Sequence, residues 1–426
     1  MPDTLAGWLD RLVQLHPKSI AMGLDRVGAV KARMGLQPGF PIFTVAGTNG
    51  KGSTCAMLEC ILTAAGYRVG CYTSPHLLRY NERVRVAGCE AGDAELCRAF
   101  AAIEQARGDT PLTYFEYGTL AALWHFIHSG VDVAVLEVGL GGRLDAVNVF
   151  DPACAIITSI DLDHQDYLGN SRESIGSEKA GIYRAGVPAV CGDTAPPQTI
   201  PTHAATIGAD YRQIGRDFGF VGNGESWDFW SGATDAIMMK DLPLPALSGG
   251  FQRYNAACAI EALQLLGARL PVRREHIEAG LRHVRLHGRF EVQAGAPQVI
   301  LDVAHNPHAA RGLAENLRRM PGRGRTLAVF AMLADKDIAG VVREMGGEVD
   351  AWFVAGIQQA RGASAAQLDG VLRAELPQPL VACYADVPEA YAQACRSAGE
   401  NDRIIAFGSF YTVADVMRIL SIRHNN

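Results

Sequence analysis

Residues 41–54, PIFTVAGTNGKGST, carry the reading from which the fold follows. PIFTVAG (41–47) is a short apolar run of strand length. Lys51 to Ala65 then sets Cys55, Leu58, Ile61/Leu62 and Ala65 at helical spacing. Between them lies a glycine-rich turn within GTNGKGST (47–54). Strand, turn and helix in that order aim backbone N–H groups and a helix N-terminus at one point, which suits a phosphate. Thr48, Asn49, Gly50, Lys51, Gly52 and Ser53 are therefore candidate phosphate-binding residues. Lys51 can reach β- and γ-phosphates, and Ser53 or Thr54 can touch a magnesium ion. The stretch departs from the common GxxxxGK[ST] pattern. Val45 stands where the first glycine is usual, and Gly52 separates Lys51 from Ser53. A plain tight turn with a solvated lysine is the alternative.

Outward from this stretch the same alternation continues. Gly66 closes the helix, and YRVGCY (67–72), VDVAVLEVG (131–139) and ACAIITSI (153–160) read as further strands. Strands alternating with helices indicate a parallel sheet covered on both faces. Region 187–250 is rich in Pro and Gly, and FGFVGNGESWDFW (218–230) reads as a hairpin, so a small β-rich appendage is expected there. From Phe251 to about Gly267 the pattern is helical. A second series begins near Pro297, with strands in 299–305, 326–332, 351–357, 380–386 and 403–410. The expected architecture is α/β, with a P-loop parallel-sheet domain (1–288) carrying the appendage (about 187–250) and a Rossmann-like domain (289–426). The junction is expected within 285–298.

A length of 426 residues suits two to three domains. The net charge of −6 disfavours a nucleic-acid footprint or a polybasic membrane surface. The ten cysteines are scattered with no CxxC pair, which disfavours a zinc ribbon. MPDTLAGWLDRLVQLHP (1–17) does not read as a signal peptide, and no apolar run approaches membrane-spanning length. A reduced, cytoplasmic protein is expected.

Several polar residues follow strands, where ligands bind in open α/β sheets. Glu137 ends the run VAVLE; a carboxylate there needs a cation, either a metal ion or Arg143. GLGGRLDA (139–146) lacks the third glycine of a dinucleotide fingerprint. Asp161, Asp163, His164 and Asp166 follow the next strand, and Ser74 follows YRVGCY. Ile175, Lys179 and Ile182 fall at i, i+4 and i+7, so Lys179 lies on an apolar helix stripe. Such a lysine snorkels, pairs or is chemically altered. Asp302 and His305 lie at the end of the second series' first strand, and Arg289 lies in the junction. Alone, capping or exposure explains each.

Together the motifs are more specific. GTNGKGST, TSPHL (73–77), FEYGTLAAL (115–123), LEVGLGGRLDAVN (136–148), TSIDLDHQDYLG (158–169), SEKAGI (177–182), RYNAA (253–257), LDVAHNPH (301–308) and ADKD (334–337) occur in order over nearly the whole chain. The sequence resembles the folylpolyglutamate synthases of the Mur ligase superfamily, in particular the bacterial bifunctional form that is also a dihydrofolate synthase. The resemblance implies an ATP-dependent ligase working through an acyl phosphate. It would add L-glutamate to dihydropteroate and to reduced folates. ATP and magnesium at two sites are implied, with a monovalent cation as a further candidate, and a monomer is expected.

The resemblance also implies roles. Thr48 to Ser53 would hold the triphosphate. Ser74, Glu137 and His164 align with magnesium ligands, and Lys179 with a lysine carried as a carbamate. Asn255, Arg289 and Asp302 align with ATP contacts, and His305 and Ser409 with glutamate contacts. Thr113, Tyr114, Phe115 and Glu116, with Leu144, Asp145 and Ala146, match a dihydropteroate-binding region, and Ser19, Ile20 and Ala21 another piece of it. The bifunctional pattern often has an acidic residue where this chain has Ala21. Rival readings are a monofunctional folylpolyglutamate synthase, a peptidoglycan-precursor ligase and a P-loop small-molecule kinase. The peptidoglycan-precursor ligase usually carries a UDP-binding domain ahead of a loop that here starts at Gly47.

Overall fold

The computed structural model describes residues 2–16, 21–222, 224–232, 237–320 and 324–424. Its contacts divide the chain into two units, Met1–Ala246 with Gln252–Val284, and Leu247–Phe251 with Arg285–Asn426. The division falls at the near edge of the expected junction. Residues 247–251, expected with the first unit, lie with the second because Phe251 packs on Gly312, where a Cβ would come within 2.6 Å of its ring.

The first unit is built on one eight-stranded sheet among the described residues. Its strands are β1 (Ile42–Ala46), β2 (Val69–Tyr72), β3 (Val84–Val86), β4 (Cys89–Glu90), β5 (Val133–Glu137), β6 (Cys154–Ile157), β7 (Pro188–Cys191) and β8 (Asp210–Gln213), in the order β4-β3-β2-β5-β1-β6-β7-β8. Pairing is parallel from β2 to β8, and β3 and β4 add an antiparallel edge. β1 lies near the centre and is buried at all five residues, as the unbroken run IFTVA requires of a strand covered on both faces.

The helix Lys51–Ala64 leaves β1 through Gly50. It is buried from Gly52 through Glu59, so the apolar stripe of the sequence is a minimum. The helix Arg274–His283 lies directly against it, where a Cβ at Gly280 would sit 2.4 Å from Ile61 Cγ1. Gly66, at φ +91, ends the Lys51–Ala64 helix as expected.

The β-rich appendage is smaller than expected. β7 and β8 extend the main sheet in parallel, joined by the helix Thr199–Ile207. Pro201 disguised that helix; it sits in the first turn, where its missing N–H is no loss. What remains is a three-stranded antiparallel sheet of β9 (Phe218–Val221), β10 (Ser226–Ser231) and β11 (Ile237–Pro243), which contains the expected hairpin.

The second unit holds β12 (Glu291–Gln293), β13 (Gln298–Leu301), β14 (Thr326–Phe330), β15 (Ala351–Ala355), β16 (Val381–Tyr384) and β17 (Arg403–Phe407). Their order is β12-β13-β17-β14-β15-β16, parallel except for β12. Phe330 anchors its core, 5.3 Å from Trp352 and 5.0 Å from Phe407 between ring centres. No helix among the described residues is long and apolar enough to cross a membrane.

One buried acid sets a pH dependence of this fold. Glu261, on the helix Gln252–Leu265, is 1% exposed, and among the described residues its Oε2 has no hydrogen-bond partner. Burial pushes its carboxyl up to about 7, reinforced by Asp217 and Asp210 and opposed by a Ser231 hydrogen bond and Arg212. A raised acid is protonated in the folded chain while the unfolded chain is already ionised. Its stabilising contribution is therefore complete below the ordinary value of 4.5 and is lost as pH rises through about 7. Glu261→Gln should leave stability unchanged near pH 4.5 and raise it by about 1–3 kcal/mol at pH 8. Urea melts of parent and variant at the two pH values check this; an equal difference at both would contradict it.

Candidate active site

The glycine loop is fixed from beneath by the end of β6. Gly47 has φ +150, and a Cβ there would meet Thr158 Oγ1 at 1.9 Å. Gly50 has φ +86, and a Cβ there would meet Asn255 Oδ1 at 2.4 Å. Both positions demand glycine by conformation and by space. Thr158 Oγ1 donates to the Asn49 carbonyl at 2.6 Å, Thr48 N–H to the Ser159 carbonyl at 2.8 Å, and Asn49 N–H to Ser159 Oγ at 3.1 Å. Lys51 folds back and donates to the carbonyls of Gly47 (2.9 Å) and Thr48 (3.3 Å). The loop thus caps the helix Lys51–Ala64 at its positive end.

Glu137 ends β5 beside this loop, in register with Val45 of β1, and is 4% exposed. Its Oε2 accepts the Ser74 N–H at 3.0 Å. Arg143, the alternative partner, is paired instead with Glu178 at 2.7 Å. Ser74 and Glu137 therefore stand together as hard oxygen donors. His164 and Glu137 close strands that flank β1, one on each side of the glycine loop. His164 follows β6, which does not adjoin β5 because β1 lies between them. It has φ 52 and caps the one-turn helix Gln165–Leu168, with its ring 3.9 Å from the Asp163 carboxylate. Among the described residues no three His, Cys, Asp or Glu side chains form a group that could hold a metal. A cation here would rest on Ser74 and Glu137 with help from a modified group or a phosphate.

Lys179 lies at the end of the helix Arg172–Ala180 and is 4% exposed, which removes the snorkelling alternative. Ile182, expected on the same helix face, lies beyond that helix but is buried as well. Burial first, then the charge of Lys51, brings the Lys179 ammonium down to about 7, against the pull of Asp163 and Asp145. A neutral amine is therefore accessible near neutral pH.

The residues of the expected dihydropteroate region also gather. Thr113 and Glu116 cap the helix Tyr114–His128 reciprocally, at 2.7 and 3.2 Å. Arg26 pairs with Glu116 at 3.1 Å and donates to the Ala21 carbonyl at 2.6 Å, while Gly23 N–H donates to the Leu144 carbonyl at 3.2 Å. The Phe115 ring lies over Gly139, where a Cβ would be 2.6 Å away, and 5.9 Å from Tyr72. Arg83 stacks on Tyr114 at 5.4 Å. Asp145 accepts from Leu140 and Val147 N–H at 2.9 and 3.0 Å and caps the turn Ala146–Val149. Ser19 and Ile20 lie outside the described residues.

In the second unit Arg289, His305 and Ser409 meet around Phe410. The Arg289 guanidinium is 5.3 Å from that ring and the His305 ring 6.1 Å. His305 Nδ1 donates to the Val303 carbonyl at 2.8 Å, and the buried Ser409 Oγ accepts from Tyr411 N–H at 3.3 Å. Asp302 takes the Phe290 and Ala304 N–H groups, each at 2.8 Å. Burial raises its carboxyl, against the nearby charges of Arg289 and His305.

Comparison with known proteins decides the family. Residues 45–191 match the Mur ligase middle domain, and residues 288–410 the Mur ligase glutamate ligase domain. The dihydrofolate synthase/folylpolyglutamate synthase of Escherichia coli is 47% identical over 423 residues, covering 99% of this chain and 96% of that protein. The chain belongs to the dihydrofolate synthase/folylpolyglutamate synthase family. The member from Haemophilus influenzae is 38% identical over 435 residues, covering 98% and 97%. E. coli FolC in complex with DHPP and ADP superposes with a TM-score of 0.93 at 46% identity, covering both chains in full (100%). The bifunctional folylpolyglutamate synthase/dihydrofolate synthase from Yersinia pestis, complexed with AMPPNP and Mn ion, gives 0.90 at 46%, covering 99% and 100%.

As a member of this family the chain shows what its sequence did not mark. Thr158 and Ser159 hold the loop, although in TSIDLDHQDYLG (158–169) only the acids and the histidine carry a sequence signal. Arg26 and Phe410 had no motif signal, because only tertiary packing brings them to Glu116 and Arg289.

The contact at Gly47 yields a test. Gly47→Ala should fold with lowered stability and lose at least about tenfold in nucleotide affinity, since the new methyl must displace Thr158 and with it the Asn49 carbonyl. Titration with a fluorescent ATP analogue reads it, and parental affinity in the variant would contradict the account.

Proposed function

We propose that this chain is an ATP-dependent ligase that joins L-glutamate to dihydropteroate, giving dihydrofolate, and to reduced folates, giving the γ-linked polyglutamate. What carries the reading is a 47% identity over the full chain to a protein of that double name. A related structure described as having Mn, AMPPNP and L-glutamate bound supports the substrate set. The glycine loop with Lys51, beside the Ser74–Glu137 pair, supplies the chemistry that set requires.

The reaction proceeds in two displacements. A carboxylate oxygen of the pterin substrate attacks the γ-phosphorus of ATP, and ADP leaves. The amine of glutamate then attacks the acyl carbon of the resulting acyl phosphate and loses a proton, and phosphate leaves. In this reading Thr48 to Ser53 grip the triphosphate through their N–H groups, and Lys51 exchanges its two loop carbonyls for phosphate oxygens. Asn255, against Gly50, keeps the loop's far side in place and meets the nucleotide. Arg289 and Asp302 contact the nucleotide, and His305 and Ser409 receive the glutamate. Thr113 to Glu116, Leu144 to Ala146 and Ser19 to Ala21 hold the pterin substrate. Bound magnesium would be held by Ser74 and Glu137, with His164 from the other side of the loop as the third ligand, and would neutralise charge on the phosphates.

Lys179 is proposed to carry a carbamate: its neutral amine adds to CO₂, a C–N bond forms and a proton is released. The anion would be a ligand for a second magnesium, where a bare ammonium would repel the metal. Such a group also supplies the charge that the donor set of Ser74 and Glu137 lacks. A monofunctional folylpolyglutamate synthase is the second reading, favoured by Ala21, which offers Arg26 only its carbonyl.

Purified protein with ATP, Mg²⁺ and glutamate, given dihydropteroate or tetrahydrofolate, tests the reading. ADP release should depend on both glutamate and acceptor. Release with tetrahydrofolate alone would select the monofunctional form, and release without glutamate would point to a kinase. Lys51→Ala should lower kcat by a hundredfold or more, about 3 kcal/mol of transition-state stabilisation, with its thermal melt unchanged. Near-parental kcat would remove the phosphate role. Protein equilibrated with ¹³C-bicarbonate should show a carbamate carbon resonance that disappears in Lys179→Ala. A spectrum without that resonance in the parent would defeat the modification.

A further inference from the structure

Behind Ser74 and Glu137 lies a buried ion pair that no assigned role uses. Glu59 sits on the helix Lys51–Ala64, about two turns beyond Lys51, and is 6% exposed. Arg85, in the middle of β3, passes Cys71, its register partner on β2, with Nη2 3.2 Å from the sulfur. It donates to the Glu59 carboxylate from Nη2 at 2.7 Å and from Nε at 3.1 Å. Its Nη1 donates to Thr73 Oγ1 at 3.1 Å and to the Glu82 carbonyl at 2.8 Å. All three guanidinium nitrogens are engaged, and they join the phosphate-loop helix, β2 and the turn Tyr80–Arg83.

Thr73 is the residue through which this network reaches the site. Its N–H donates to the Arg83 carbonyl at 3.0 Å, so hydroxyl and backbone are both held. The next residue is Ser74, whose N–H donates to Glu137. A buried ion pair seldom stabilises a fold better than apolar packing of the same volume. What it offers here is direction, since the planar fork of an arginine fixes several acceptors at once and a lysine cannot.

We propose that Arg85, oriented by Glu59, is a positioning residue: it sets the Thr73–Ser74 turn so that Ser74 and Glu137 present their oxygens together to the divalent cation that accompanies the nucleotide. The proposal rests on the reading of Ser74 and Glu137 as cation ligands given above. Arg85 touches neither substrate nor metal. Its effect passes through Thr73, and the fixed distance it sets is between the β2–β3 edge and the helix that carries Lys51.

Two substitutions test it. Thr73→Val keeps the shape and removes the hydroxyl that Arg85 holds, and Arg85→Lys keeps the charge and removes the fork. The readouts are Mn²⁺ affinity by electron paramagnetic resonance in the presence of AMPPNP, AMPPNP affinity without metal, KM for glutamate, and the thermal midpoint. Both variants should weaken Mn²⁺ binding by about tenfold or more, the scale on which groups behind metal ligands act. Metal-free nucleotide affinity and KM for glutamate should stay at the parental values. Parental Mn²⁺ affinity in folded Thr73→Val would overturn the proposal, and so would a lowered melting point with no change in Mn²⁺ affinity. Thr73→Val keeps the test decisive if Arg85→Lys does not fold. If the parent itself binds no Mn²⁺ with AMPPNP, the cation-ligand reading fails and takes this proposal with it; if the parent binds and the variants match it, only the positioning role fails.

Discussion

The candidate site in the first unit is arranged around the close approach of a glycine to a threonine. Gly47 can leave β1 only at φ +150 and only with bare backbone facing Thr158. That contact seats the loop on the neighbouring strand end, where Thr158 and Ser159 hold Asn49 and Thr48. Because β1 lies between β5 and β6, the same geometry brings Glu137 to one side of the loop and the 158–164 segment to the other. Lys179 completes the group, buried and sharing its electrostatic surroundings with Lys51. The strand order thus decides which polar residues stand around the glycine loop.

Much of this was legible because it is local. The run IFTVA, the turn TNGK and the following helix are read from neighbouring residues, and both βα series have the periodicity of their elements. Glu137 and Lys179 could be singled out because a charge in an apolar pattern needs an explanation. The environment of each came only with the fold. Arg143 was a reasonable partner for Glu137 by sequence distance, yet it turns to Glu178. In the 187–250 region Pro201 and the surrounding turns mask a helix whose proline sits harmlessly at its start. The separation of β5 from β6, the seat formed by Thr158, and Phe410 under Arg289 are products of strand order and packing, which leave no short-range mark.

Many candidate residues are also structural, and both facts have the same cause. Asp145 caps a turn, Glu116 caps a helix and pairs with Arg26, and Asp302 takes two backbone N–H groups. A carboxylate has more lone pairs than one ligand can use. Satisfying some with the protein's own backbone fixes the rotamer and leaves the others aimed. Their substitution should therefore disturb order and function together, in contrast to Lys51, whose present partners are two carbonyls of its own loop.

The helix that follows the loop is enclosed almost all round, with Gly280 letting a second helix lie against Ile61. This enclosure settles when the disorder of the loop is lost. Residues 47–50 are already confined by Thr158, Ser159 and Asn255, and the helix beneath them cannot tilt to adapt. The entropy of shaping the cradle is thus given up as the chain folds, and little of it remains to oppose the arrival of an anion. The cost falls instead on adaptability: a rigid cradle of this kind has one preferred spacing between its N–H groups and does not re-form around a differently shaped guest.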